Sequence, residues 1–182
     1  MLYGSRIRLR APERDDLPTF VRWFNDPEVR HYLRMYAPLS LAQEERWFES
    51  LISSSSDFVF VIEVPEEGRW TPIGNTGLHR VDWKNRMAAF GIAIGEKAYW
   101  NQGYGTDATQ TMLKFAFHEL SLHRVELEVY DFNARAIRCY EKVGFRREGI
   151  RRQALFRGGA FHDTIWMAIL RPEFEETLQK NP

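Results

Sequence analysis

The amino-acid sequence predicts one α+β domain built around a mixed sheet, and three observations carry that reading. Apolar residues recur at helical spacing early in the chain (Leu17, Phe20, Val21, Phe24), so a helix with one buried face precedes the sheet. Short β-rich runs then follow one another between residues 58 and 95, separated by turn residues. From Ala88 to Phe145 the order becomes strand, glycine turn, helix, strand, helix. At 182 residues the chain suits a single domain, since domains run ~100–200 residues, and no linker divides it. Its 13 Phe and 6 Trp, within 44% hydrophobic residues, are ample for a packed core.

Each element has its own signal. Ile7-Arg8-Leu9-Arg10 alternates and reads as an edge strand. The first helix runs over 15–25 and stops at Asn25-Asp26-Pro27. Pro27 disfavours helical geometry at Asp26 and can itself begin the next turn. Ser40-Leu41-Ala42-Gln43 is a capping box for a helix through about Leu51, with Trp47, Phe48 and Leu51 facing inward. The serine tract 53–56 releases the chain into strands over 58–64, 73–81 and 88–95. They form an antiparallel meander with turns near Glu66-Glu67-Gly68 and Lys84-Asn85. The turn Trp100-Asn101-Gln102-Gly103-Tyr104-Gly105-Thr106 opens a helix to about Leu120, and a strand follows over 124–130. A helix begins at Asn133, and a closing hairpin joins 146–156 to 160–170 over Gly158-Gly159.

Composition excludes several classes of function. Lys+Arg and Asp+Glu both number 25, so no net field recruits nucleic acid or an anionic membrane. Apolar runs fall short of the ~20 residues of a spanning helix, and no signal peptide is read at the start. One cysteine, Cys139, forms no internal disulfide, which fits a reducing, cytoplasmic location. His31, His79, His118, His123 and His162 lack metal-ligand spacing, so no metal site is predicted.

The glycine turn is the candidate binding element. A helix start leaves backbone N–H groups unpaired with the positive end of the dipole behind them, which suits a phosphate or pyrophosphate. Gly103 and Gly105 let the backbone approach such an anion closely, although they also suit a tight strand-to-helix turn. No Gly-Lys-Ser/Thr follows, so this is no nucleotide P-loop. No third motif glycine follows Gly105 and helices precede the meander, so a dinucleotide-binding Rossmann unit fits badly.

This turn, with Asn133, Ala136, Tyr140, Gly144 and Phe145 following at set spacing, resembles the GNAT superfamily of N-acetyltransferases. The likeness runs from Arg6-Ile7-Arg8-Leu9-Arg10 to Asp163-Thr164-Ile165-Trp166-Met167. It is nearest the branch of ribosomal-protein N-terminal alanine acetyltransferases and spermidine acetyltransferases. The resemblance implies one N-acetyltransferase domain over 1–182. Its sheet would be mixed and mostly antiparallel, with a central splayed strand pair and helices on both faces. Acetyl-CoA would be the co-substrate, held by Ile92, Ala93 and Ile94 on the central strand, by Gln102, Gly103, Tyr104, Gly105 and Thr106 in the turn, and by Asn133 and Ala136. Asn is also a favoured helix N-cap, and both roles coexist at Asn133. Tyr140 would be the general acid that protonates the departing thiolate.

The chain departs from the family pattern twice. Trp100 stands where the motif has Gln or Arg, and Ala89 where many relatives place a glutamate base. An alkyl amine with a pKa near ~10.4 is neutral to only about one part in 10³ at pH 7, a cost of roughly 4–5 kcal/mol. Some group must therefore take a proton or depress the amine. Asp131, Glu96, His79 and Asp82 are the candidates by nearness to the strands; with no strong base, the rate would follow the amine's own pKa. The alternative is a non-catalytic acyl-CoA-binding module, which Ala89 supports. The acceptor stays open among a protein N-terminus, a polyamine, an amino sugar and an antibiotic amine. Relatives build its pocket from the aromatic segment holding Trp23, Phe24, Tyr32, Tyr36, Trp47 and Phe48. Arg151, Arg152 and Arg157 are candidates for an acidic rim contact, with a solvated hairpin face as the alternative. Relatives also pair into homodimers through exposed strand edges of this kind.

Overall fold

The structure is a computed structural model and describes residues 1–180. Eight strands alternate with six helices: β1 (Leu2–Tyr3), β2 (Arg8–Arg10), α1 (Leu17–Asn25), α2 (Pro27–His31), α3 (Leu41–Ile52), β3 (Phe58–Glu66), β4 (Arg69–Asp82) and β5 (Met87–Ile94). Then come α4 (Tyr104–Lys114), β6 (Arg124–Tyr130), α5 (Ala134–Val143), β7 (Arg146–Arg157), β8 (Ala160–Leu170) and α6 (Arg171–Lys180).

The helix boundaries follow the capping residues. Asp26 caps α2, its carboxylate accepting from the N–H of Glu28 at 2.8 Å and Val29 at 3.2 Å, with Pro27 at the first helical position. Ser40 and Gln43 close a reciprocal capping box on α3. The helix predicted to reach Leu120 keeps α-geometry only to Lys114 and then widens into one π-helical turn, Phe115–Glu119. That turn sets Phe115 edge-on to Phe58 and Phe60, at 5.8 and 5.4 Å between centroids, while Phe117 packs on Phe174.

One sheet runs β1-β2-β3-β4-β5-β6-β8-β7, antiparallel throughout except at β5–β6. The strand predicted at residues 7–10 is not the edge: Leu2–Tyr3 pairs outside it after a tight turn in which Gly4 donates to the Ile7 carbonyl. Helix α6 was also unanticipated; Phe174 pins it into the core.

Helices cover both faces, and the buried residues sort accordingly. One cluster joins Leu17, Phe20 and Trp23 of α1 to Phe48 of α3 and Val61 of β3. The larger joins the opposite sheet face, with Leu78, Phe90 and Val125, to α4, α5 and α6. Opposite-facing alternation along the strands generates the two layers.

Gly95, just after β5, is where the chain packs tightest against α1. A Cβ there would lie 2.2 Å from Cγ and Cδ2 of Trp23, an indole 1% exposed. Overpacking a well-filled core costs ~1–3 kcal/mol and occasionally more. Gly95→Ala is therefore expected to lower the unfolding free energy by about 2–3 kcal/mol in a urea titration. An unchanged midpoint would show that the Trp23 contact is not tight.

Candidate active site

The site begins where the sheet opens. Strands β5 and β6 pair only at Met87–Arg124, Ala88–Val125 and Ala89–Glu126, and beyond Ala89 they diverge. The β5 backbone past that point is held by β4 on one side only. Ala93 turns its carbonyl to β4, since a Cβ on Gly74 would stand 2.1 Å from it. By the alternation of an antiparallel pair, Ile92 and Ile94 turn their N–H and C=O toward the gap. The Ile94 carbonyl accepts the indole N–H of Trp100 there, at 2.7 Å. A cleft of about 1110 Å³ passes through the gap and reaches both sheet faces.

At one end stands the start of α4. Gly103 has φ of +88°, a conformation glycine adopts without strain, so this glycine serves the turn. Gly105 is helical, and a Cβ on it would meet nothing within 4 Å. Its absence of a side chain keeps open the space in front of the helix. The first intrahelical bond runs from Asp107 N–H to the Gly103 carbonyl, leaving the amides of Tyr104, Gly105 and Thr106 aimed at the cleft. The 5–6 segment braces the turn: Ser5 and Arg6 N–H donate to the Asp107 carboxylate, and the Arg6 guanidinium donates to the Gln102 carbonyl and lies 4.3 Å from the Tyr104 ring.

Most of the predicted coenzyme contacts line this cleft together: Ile92, Ala93 and Ile94 on β5, Gly103 to Thr106 at α4, and Asn133 and Ala136 at α5. Gln102 does not, because its amide turns back to the Ala98 carbonyl at 2.5 Å. Asn133 caps α5 by accepting from Ala136 N–H at 3.2 Å, which leaves its amide NH2 free to donate. Trp100 enters the site in an unforeseen way. Arg135 of α5 stacks its guanidinium 3.8 Å from the indole and 4.9 Å from the Tyr32 ring, a bridge across the cleft mouth. Burial lowers the pKa of that guanidinium.

Tyr140 lies on the α5 side of the gap, its ring perpendicular to Phe90 at 6.2 Å and 5.7 Å from Phe145. It is 8% exposed, lines the cleft, and its hydroxyl has no hydrogen-bond partner among the described residues. Burial, with a smaller contribution from Cys139, pushes the phenol well above its ordinary value, so it carries its proton through the neutral range. Cys139 turns away to Thr106, at 3.4 Å from its hydroxyl, and burial raises its thiol as well.

The candidate bases fare unevenly. Glu96 is committed to Arg22 and to Trp23 Nε1, at 2.8 Å from the indole, and the Arg22 bond holds its carboxyl below the usual range. Asp82 is held low by the Asn85 N–H in an exposed turn, and Asp131 accepts from Asp163 N–H; neither lines the cleft. His79 does line it, over Gly91 and beside Asp57 at 3.3 Å. Arg157, read as a rim cation, instead clamps the loop after α2 through the carbonyls of Arg30, Leu33 and Met35. Arg151 pairs with Glu128.

Sequence reasoning passed over Glu44. It sits on the inward stripe of α3, three and four residues before Trp47 and Phe48, and is only 4% exposed. Its carboxyl has no hydrogen bond or ion pair among the described residues, and it lines the cleft. Burial pushes its carboxyl up from 4.5 to about 7. The signal was the helical spacing itself, which puts position 44 on the apolar face whatever its side chain.

The chain is similar to several known proteins. A family model described as an acetyltransferase (GNAT) domain matches residues 6–146. Spermidine N(1)-acetyltransferase of Vibrio cholerae (serotype O1, strain El Tor Inaba N16961) is 27% identical over 171 residues, covering 94% of this chain and 96% of that protein. The prophage-derived uncharacterized N-acetyltransferase YokL of Bacillus subtilis (strain 168) is 29% identical, covering 94% of each. The crystal structure of the Vibrio cholerae spermidine N-acetyltransferase with CoA and spermine superposes with a TM-score of 0.88 at 27% identity, covering 94% of this chain and 99% of that one.

Glu44 also makes a stability prediction. Its raised pKa means the native state keeps a proton that the unfolded chain releases between pH 4.5 and about 7, so its contribution falls as pH rises through that window. Glu44→Gln removes the buried charge. It is expected to stabilise the protein by on the order of 2–3 kcal/mol at pH 8, at 1.36 kcal/mol per unit, and by almost nothing at pH 4. Equal thermal midpoints for variant and wild type at both pH values would contradict the buried, unpaired state.

Proposed function

The chain belongs to the GNAT acetyltransferase family and is an acetyl-CoA-dependent transferase acting on an amine, and we propose that it acetylates a primary amine by direct transfer, with Tyr140 as general acid. The observation that carries the proposal is the Tyr140 hydroxyl: buried, protonated, unpartnered and open to the gap between β5 and β6. A phenol with those properties is available to a leaving group and is not spent on the fold.

The other residues take supporting parts. The N–H and C=O groups of Ile92 and Ile94 receive the amides of the pantetheine arm as a strand would, and Ala93 contributes through its small side chain. The Ile94 carbonyl has a second lone pair besides the one given to Trp100, so the indole does not exhaust it. The amides of Tyr104, Gly105 and Thr106, with the α4 dipole behind them, receive the pyrophosphate. Asn133 donates its free amide to the same arm, and Ala136 keeps the α5 wall low. A β5 N–H directed at the thioester carbonyl stabilises the negative charge that develops there. Tyr140 then donates its proton to the departing sulfur.

The acceptor is an amine with at least one hydrogen-bearing nitrogen and a lone pair, which protein N-termini, polyamines and amino sugars all supply. The spermine and spermidine of the relatives favour a polyamine among them. A panel of glycyl peptides, spermidine and glucosamine, read as free-thiol release from acetyl-CoA, tests the proposal. At least one primary amine is expected to turn over; a protein that binds acetyl-CoA but releases no thiol with any of them contradicts it.

Two variants separate binding from chemistry. Tyr140→Phe keeps the ring packed on Phe90 and removes the proton, so turnover should fall ~10²–10⁴-fold with acetyl-CoA affinity unchanged by calorimetry. Near-wild-type turnover would assign the proton to water. Gly105→Val fills the space in front of α4 and is expected to weaken acetyl-CoA at least tenfold, about 1.4 kcal/mol, in a folded protein. Unchanged affinity would place the pyrophosphate elsewhere.

A further inference from the structure

Ala89 leaves the central strand without a carboxylate, yet the Glu44 carboxylate of α3 lines the same cleft. Ala89 and Gly91 share a face of β5, alternate to Phe90, which turns to Tyr140. On that face a Cβ at Gly91 or Gly77 would approach His79 Nε2 to 3.5 or 3.2 Å, so the imidazole sits close over these small residues. Trp47 of α3 lines a small cavity together with His79 and Val59. Glu44, one turn earlier on α3, lies on the Trp47 stripe and lines the same cleft as Ala89, Gly91 and Tyr140. Among the described residues, Arg157 Nε is the one side-chain nitrogen or oxygen sealed from solvent without a partner, so the unpaired Glu44 carboxylate still opens onto the cleft.

We propose that Glu44 is the group that receives the acceptor's ammonium and takes its proton, in the cleft that Tyr140 also lines. This rests on the amine-acetylation reading above. The proton balance closes with two residues. The ammonium gives one proton to the Glu44 carboxylate, and the freed nitrogen lone pair forms a bond to the thioester carbon. The carbon–sulfur bond breaks with its electron pair going to sulfur, which takes the Tyr140 proton. The nitrogen's second proton returns to the Tyr140 oxygen, and Glu44 releases its own to solvent. One acetamide, one thiol and one proton result from one ammonium and one thioester.

The surroundings support that role. The charged and titratable groups that share the cleft or its neighbouring cavity with Glu44 include Asp57 before β3, His79 and Arg80 on β4, Arg34 paired with Glu128 at 3.8 Å, Tyr32, and Arg135, Arg138 and Lys142 of α5, and none of these groups bonds Glu44. Glu128 is already matched, by the Thr164 hydroxyl at 2.6 Å and by Arg151 at 3.2 Å. Glu44 is the carboxylate of the cleft left for an incoming cation, and its carboxyl, at about 7, is poised as a base near neutral pH.

The test uses Glu44→Gln and the wild-type enzyme with the amines of the panel that turn over, measuring kcat/KM from pH 6 to 10 alongside calorimetric acetyl-CoA binding. The wild type should rise through an inflection near neutrality and then level. Glu44→Gln should lose about 100-fold or more in kcat/KM below pH 8, bind acetyl-CoA as before, and climb toward the amine's own pKa without levelling. A variant with the wild-type profile and kcat/KM within twofold overturns the assignment while leaving acetylation intact. So does a variant that loses acetyl-CoA binding together with activity, since Glu44 would then be structural. A wild type that turns over no amine sinks the parent reading, and this one with it.

Discussion

The structure depends on an incomplete strand pairing. The one parallel pair of the sheet, β5–β6, lasts three residue pairs and then parts. A parted pair leaves backbone groups without partners, a condition tolerated only where something else will bond them. The fold enforces the opening from both sides. Gly95 is pinned against Trp23, which fixes where β5 leaves the sheet, and β6 is committed over seven residue pairs to β8. Both strands are held by their outer neighbours, β4 and β8, while their facing edges stand apart beyond Ala89.

That gap divides the chemistry by layer. On the α5 side, Phe90, Phe145 and burial hold a phenol in its protonated form. On the α3 side, the His79 ring covers the small residues Gly91 and Gly77, and the unpaired Glu44 carboxylate lines the same cleft. One low-dielectric environment raises both groups, and the consequence differs with their ordinary values. The phenol is kept as a donor, while the carboxyl is brought near neutrality, where it can accept. The anion-binding end lies apart, at α4, where positive character comes from backbone amides and the helix dipole.

Much of this was legible in the sequence because it is written in local signals. Strand 124–130, the Ser40–Gln43 box, the Pro27 stop and the Gly158-Gly159 turn are properties of neighbouring residues, and the structure reproduces them. The glycine turn was read from its own residues and Tyr140 from the family resemblance, and both line one cleft. What escaped depends on partners far away in the chain. β1 exists because it adds outside β2, and α6 because Phe174 finds Phe117. Gln102 lies inside the motif but is drawn off to Ala98. Glu44 was hidden by its charge: a carboxylate on an apolar stripe reads as solvated until the layer above it is known. Of the candidate bases named by nearness to the strands, His79 lines the cleft.

The measurement that tests the open edge most directly is hydrogen exchange at the β5 amides with and without saturating acetyl-CoA. The amides of Ile92 and Ile94 should exchange far faster than that of Ala93, which faces β4, and should slow strongly when acetyl-CoA binds, as paired strand amides do. Protection at Ile92 and Ile94 that is already high in the free protein, or unchanged on binding, would contradict the claim that this strand edge is held open to receive the coenzyme.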